Sequence, residues 1–283
     1  MTIGQKLYSR ISKYYLHTFI HLSLCTGCLT IFTFKALDAE VDYIYILIIS
    51  IATLAFYNLY GVISGSLHPP DLHTFFRHKR MVFFFLLLMT CGFGVLICFT
   101  DFIRWLWLGA AAVLSFWYGG IAHGILPDVH KYPVLRTSVI AGVFTIVSLI
   151  IPSIYAGLLW QEWWTMAFSR FLFIAVLVMI FDIGGYFQDQ SKGILRLPSK
   201  YGKTPVKRMA YLCMAVCMVV DIYLAWIFLL NPEAVFALMV TYAATVLSVY
   251  VAKAEKSTEF YLFAIDGLMM LPLIFLYVFT DIL

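Results

Sequence analysis

The sequence predicts an all-α, polytopic membrane protein: a bundle of nine transmembrane helices. Three observations carry that prediction. The 283 residues are 63% hydrophobic and 12% charged, and a soluble domain carries about twice that charged share. Apolar runs long enough to cross a bilayer recur along almost the whole chain. The basic residues fall on alternate connections between those runs, as cytoplasmic loops do.

The runs predict spans at 17–36, 43–64, 81–99, 102–119, 137–158, 165–184, 208–230, 234–252 and 260–280. The first follows the basic residues Lys6, Arg10 and Lys13. It shows no clear small-residue cleavage site and leads into further spans, so it reads as a span and not as a cleaved signal. With the N-terminus inside, the cytoplasmic connections are 1–16, 65–80, 120–136, 185–207 and 253–259. They collect Arg77, Lys79, Arg80, Lys131, Arg136, Lys192, Arg196, Lys200, Lys203, Lys207, Lys253 and Lys256. The other side keeps little positive charge beyond Lys35 and Arg104, and holds Asp38, Glu40, Asp42, Glu162 and Glu233. This asymmetry predicts a cytoplasmic N-terminus and a C-terminus on the opposite side. Trp105, Trp107, Trp160, Trp163 and Trp164 crowd the outer boundary as an interfacial aromatic belt would. The net charge of +4 is explained by topology and does not indicate nucleic acid. The six cysteines lie mostly inside apolar runs and read as small core hydrophobes, because nothing completes a ligand set beside the pairs Cys25/Cys28 and Cys213/Cys217.

The long connections are the cytoplasmic ones, and long loops tend to carry function. In 185–207, Asp189 follows Asp182 by two helical turns, so the pair shares a face if the helix continues through Gly184 and Gly185. Lys192, Arg196, Lys200 and Lys203 follow. Acids that hold Mg²⁺ beside cations that hold phosphate would suit a diphosphate; an ordinary positive-inside helix end is the alternative reading. Loop 65–80 holds His68, Asp71 and His73 around a Pro-Pro turn, then Arg77, Lys79 and Arg80. Loop 120–136 holds His123, Asp128, His130, Lys131 and Arg136. Four polar residues fall at or near membrane depth: Asn58, Arg170, Asp221 and Asp266. A charge at mid-span costs roughly 2.5–3.5 kcal/mol on insertion scales. These residues are therefore expected to face the bundle interior or a wet cavity. Asp221 suits a helix–helix hydrogen bond, Arg170 can snorkel toward the outer surface, and Asn58 can stitch two closely packed helices.

On these residues the chain resembles the UbiA superfamily of intramembrane prenyltransferases over nearly its whole length, as a single domain, 1–283. The second acidic motif of that superfamily, D-x-x-D-x-x-x-D-x-x-x-G-I-x-T-L-P-x-x-x-G, is met by Asp182, Asp189, Gly193, Ile194, Leu197, Pro198 and Gly202, with Gly185 at the middle acid. The first motif, N-D-x-x-D-x-x-x-D, is met by Asn58 alone, since its acids fall on Leu59, Val62 and Ser66. The resemblance implies nine transmembrane helices, and transfer of a prenyl group from a polyprenyl diphosphate, drawn from membrane lipid, to a lipophilic acceptor at the cytoplasmic face. It implies Asp189, Asp182 and Asn58 as catalytic residues, with Asp189 and Asp182 holding Mg²⁺. Lys192, Arg196, Lys131 and Arg77 are then expected to bind the diphosphate and to take over work from the missing acids. Two other readings stand beside it: a non-catalytic member that binds an isoprenoid or another lipid or stabilises a partner, and a small transporter with Asp221 and Asp266 on its path.

Overall fold

A computed structural model describes residues 15–16, 18–63, 102–119, 128–191, 195–227, 229–253 and 260–280. Its elements are α1 (Ile20–Ala36), α2 (Tyr43–Ile63), α3 (Phe102–Tyr118), α4 (Pro133–Tyr155), α5 (Trp160–Gly184), α6 (Tyr186–Ser191), α7 (Leu197–Tyr201), α8 (Lys203–Trp226), α9 (Pro232–Val251) and α10 (Leu271–Thr280). No strand occurs among the described residues. Helical segments occupy each predicted span except 81–99, which lies outside the described residues together with loop 65–80. Five of the helices are long and apolar enough to cross a bilayer by length and composition.

Helix α5 is the axis of the bundle. Every residue from Phe173 to Ile180 is buried, and a helix apolar on all sides belongs in the interior. Of its apolar stretch 78% is buried, against 28% for α8. Helix α8 turns Leu212, Val219, Ile222 and Trp226 outward, which fits a surface solvated by lipid. The main neighbours of α5 are α4 and α8. Its N-terminus is fixed by Glu162, whose carboxylate accepts from the Leu159 backbone N–H at 2.6 Å.

Four helix starts precede the predicted ones, at Pro133, Trp160, Lys203 and Pro232, and two of them bear on the site. Helix α4 begins at Pro133, whose fixed φ and missing N–H suit the first turn; this carries Arg136 out of the loop and onto a helix. Helix α8 begins at Lys203, after Gly202 breaks the chain with φ +90°.

Helix α4 is interrupted by one π turn, Ile146–Ile150. Such a turn loosens the regular ladder, and inside a bilayer the freed carbonyls need partners. Thr33 Oγ1 donates to the Ser148 carbonyl at 2.7 Å, and Tyr45 OH donates to the Val147 carbonyl at 2.7 Å. The same bonds tie α1 and α2 to α4. At the other end of α5, a Cβ on Gly184 would lie 2.5 Å from the ring of Tyr261. That ring is buried and its hydroxyl donates to the Lys253 carbonyl at 2.7 Å. Gly184 therefore lets the final helical segment pack directly onto the end of α5.

Arg170 departs from its expected place. It is only 5% exposed and does not snorkel. Its guanidinium turns inward, toward Ser148 Oγ at 3.5 Å and Thr33 Oγ1 at 3.4 Å. Asp221 meets its expectation of a helix–helix bond: Oδ2 accepts from Ser169 Oγ at 3.0 Å and from the Tyr242 hydroxyl.

Candidate functional site

The charged end of α5 builds the site. The helix stops at Gly185, and α6 resumes at Tyr186. Asp182 therefore lies in the last turn of the long helix α5 and Asp189 on the short α6, with only the one-residue break at Gly185 between the two helices. A guanidinium joins the two acids. Arg196 lies just before α7, where Pro198 occupies the first turn. Its Nη1 is 3.3 Å from Asp182 Oδ1, and its Nε is 2.9 Å from Asp189 Oδ2. Arg136, in the first turn of α4, donates through Nη1 to Asp182 at 2.8 Å (Oδ1) and 3.1 Å (Oδ2). Both acids are buried, Asp182 at 1% and Asp189 at 3% exposure. Two carboxylates and two guanidinium groups thus form one charge-balanced chain: Arg136, Asp182, Arg196, Asp189.

Aromatic groups continue that chain toward α2. Tyr118, at the end of α3, acts electrostatically on the Arg136 guanidinium and packs its ring against that of Tyr60 near the end of α2. The rings of Tyr60 and Tyr118 lie 5.1 Å apart, and His130 stacks over Tyr60 at 6.1 Å. Tyr60, Tyr118 and Arg136 thus form a run of side chains from the end of α2 to Asp182 at the end of α5. Asn58 is turned to other partners. Its Nδ2 donates to the Thr18 and Leu54 carbonyls, each at 2.8 Å, so the amide fastens α2 to the segment before α1. Lys131 is exposed beside His130. Lys192 and Arg77 lie outside the described residues.

His130 is held by its own short turn. Asp128 Oδ1 accepts from the His130 backbone N–H at 3.0 Å, and the ring Nε2 lies 3.0 Å from the Tyr118 carbonyl, which accepts only if Nε2 carries the proton. Burial lowers the imidazole pKa, and the nearby Arg136 and Arg196 push the same way. The sign is fixed: the unfolded chain takes up a proton first as pH falls below the ordinary value of 6.5, so His130 supports the folded turn above that value and less below it. Acidification below pH 6.5 should raise hydrogen exchange in 128–132, and His130→Gln should remove that part of the pH dependence. An unchanged profile in the variant would rule out His130 as its source.

Asp182, Arg136 and Arg196 were all legible as charges, yet only the fold shows them paired. Sequence reading leaves Arg136 among loop cations and gives Tyr60 no part. The one available signal was Pro133, which marks a helix start and so puts Arg136 on a first turn.

No family model matches the sequence, and no curated protein does. Solved structures do. A UbiA homologue from Archaeoglobus fulgidus bound to GPP and Mg²⁺ is 11% identical, with 95% of this chain and 99% of that one covered at a TM-score of 0.63. The fold is that of the UbiA homologues. A digeranylgeranylglyceryl phosphate synthase is similar at 14% identity, with 95% and 100% covered and a TM-score of 0.62. A UbiA homologue from Aeropyrum pernix K1 in its apo form gives 13%, 94% and 98%, and 0.56. With this fold and its long apolar helices, the chain is an integral membrane protein of the UbiA type of bundle.

Whether Mg²⁺ suits the charged end of α5 is a question of donors. Mg²⁺ binds through one or two carboxylates plus substrate phosphates and water, in near-ideal octahedral geometry. Here Asp182 is engaged by two guanidinium groups and Asp189 by one. Gly185 offers no side-chain oxygen. Among the described residues no group of three or more His, Cys, Asp or Glu could hold a metal ion. As arranged, these residues do not fit the ion.

Proposed function

We propose that this protein is a single UbiA-like domain over 1–283 that binds a polyprenyl diphosphate and transfers its prenyl group to a lipophilic acceptor. The charged end of α5 is then the cytoplasmic face, with the N-terminus on that side and the C-terminus on the other. The observation that carries the reading is the buried Arg136–Asp182–Arg196–Asp189 chain at the end of the central helix of a UbiA fold. A bilayer protein keeps buried charges mainly where an ion or polar ligand is handled. Arg196 and Lys131, with Lys192 and Arg77, supply positive charge for the leaving diphosphate, and forked guanidinium donors suit phosphate oxygens. Asp182 and Asp189 hold the arginines in place. Asn58 sets the position of α2. The faces of Tyr60 and Tyr118 lie beside the arginines, where a prenyl chain entering from lipid would begin. The Mg²⁺ expected from the resemblance has no place in this scheme as the donors now stand.

The second reading is binding without turnover. It is favoured by Gly185 at an acid position and by the neutralisation of both remaining acids. One assay separates the two. Purified protein is given radiolabelled geranyl diphosphate in micelles containing membrane lipid extract, and both bound label and released diphosphate are counted. Release above a heat-treated control, lost in Arg196→Gln, is the result expected of a transferase. Retained label without release makes the protein a binder. Neither retention nor release refutes both.

A further inference from the structure

The same cluster, taken with the reading above as its premise, reverses the role usually assumed for paired acids. We infer that Asp182 and Asp189 serve as holders of two arginines and not as metal ligands, and that Arg136 and Arg196 take the diphosphate with no divalent cation.

Three observations lead there. First, Arg196 bridges the acids through Nη1 and Nε, at 3.3 Å and 2.9 Å. A cation already stands where an ion between two carboxylates would stand. Second, the space at residue 185 is taken. A Cβ built on Gly185 would lie 3.0 Å from Asp189 Oδ2 and 3.1 Å from Arg196 Nη1. A side chain there would push both the Asp189 carboxylate and the Arg196 guanidinium aside by a few tenths of an ångström, and glycine leaves the bridge where it is. Third, the arginines have donors to spare. A guanidinium carries five N–H groups in a rigid fork. Arg136 donates to Asp182 through Nη1, Arg196 donates to Asp182 through Nη1, and Arg196 Nε lies within ion-pair distance of Asp189 without a hydrogen bond. The remaining edges can take phosphate oxygens while the acids keep the planes fixed.

The charge balance then sets the sign of the test. Two acids cancel two arginines, so an arriving polyanion meets a neutral cluster and feels the nearby carboxylates as repulsion. Removing one acid while keeping its shape should strengthen binding. A metal-holding acid predicts the opposite.

The probe is geranyl S-thiolodiphosphate, an unreactive analogue, titrated calorimetrically onto the full chain in micelles with either EDTA or excess Mg²⁺. Binding to the wild type should persist in EDTA. Asp189→Asn keeps an acceptor for Arg196 and should bind tighter by a factor on the order of ten. Arg196→Gln should weaken binding by at least that factor, and Arg196→Lys, which keeps the charge and loses the fork, should weaken it as well. Binding that requires Mg²⁺, or that is lost in Asp189→Asn, overturns the inference and leaves the proposed function standing. No binding of the probe under any condition removes the proposed function and the inference together. Melting curves monitor the fold of each variant. The EDTA comparison on the wild type decides the matter even where a variant fails to fold.

Discussion

Asp182→Ala is expected to lower stability by about 3–5 kcal/mol, the cost of breaking a buried charge pair by removing one partner. Asp182 is 1% exposed, and two guanidinium groups converge on it, with side-chain exposures of 11% for Arg136 and 25% for Arg196. Alanine would leave Arg136 facing a cavity in a place with little access to water. Chemical denaturation in micelles, followed by tryptophan fluorescence, reads the change. The double variant Arg136→Met with Asp182→Leu should lose less than either single change, because apolar groups of similar volume replace a buried pair at little cost. Arg196 stays paired with Asp189 in that background. Additive losses in the cycle would show that Arg136 and Asp182 contribute separately, and the charge chain would then be a description of distances without energetic coupling.

The contrast between what was and was not legible follows from the same residues. Spans can be read from sequence because lipid demands long apolar runs, and the helices follow those runs wherever residues are described. Their starts are harder. Pro133 and Lys203 open helices among polar residues, where hydropathy falls before the helix ends. Fold class and candidate acids were visible too, because Asp182, Asp189 and the Leu197-Pro198 segment stand in a recognisable spacing. Pairing was not visible. Arg136 lies 46 positions before Asp182, and no local pattern signals a contact at that range. A motif reading asks which residue types are present, and it gave the acids a metal because nothing in one dimension shows an arginine already there. Arg170 illustrates the other failure. A long side chain near an outer boundary reads as a snorkelling cation. It turns inward here because the π turn of α4 and the hydroxyl of Thr33 give it polar neighbours at depth.

That second polar cluster carries the other large effect. It lies about 18 Å along α5 from Asp182, twelve residues at about 1.5 Å each, so it is a separate site and not a continuation of the first. Arg170 and Asp221 line one cavity of about 20 Å³ with Thr33, Tyr242 and Leu238, room for a single water. Both are buried, at 5% and 2% exposure. Asp221→Ala leaves the Ser169 and Tyr242 hydroxyls without their acceptor and Arg170 without a nearby acid. The expected loss is about 2–5 kcal/mol, from two buried donors left unpaired at about 1–3 kcal/mol each. Asp221→Asn keeps one acceptor oxygen and the volume, so its loss should be smaller, about 1–3 kcal/mol. The ordering also tests the transporter reading. A residue on a transport path faces water and tolerates truncation without unfolding the bundle, whereas a residue that fastens α5, α8 and α9 does not. If Asp221→Ala melts like the wild type while proteoliposomes lose an ion or proton flux, the carboxylate belongs to a path. If the bundle loosens and Asp221→Asn restores most of it, the carboxylate is the joint between three helices, and the charged end of α5 is left as the place where chemistry is to be sought.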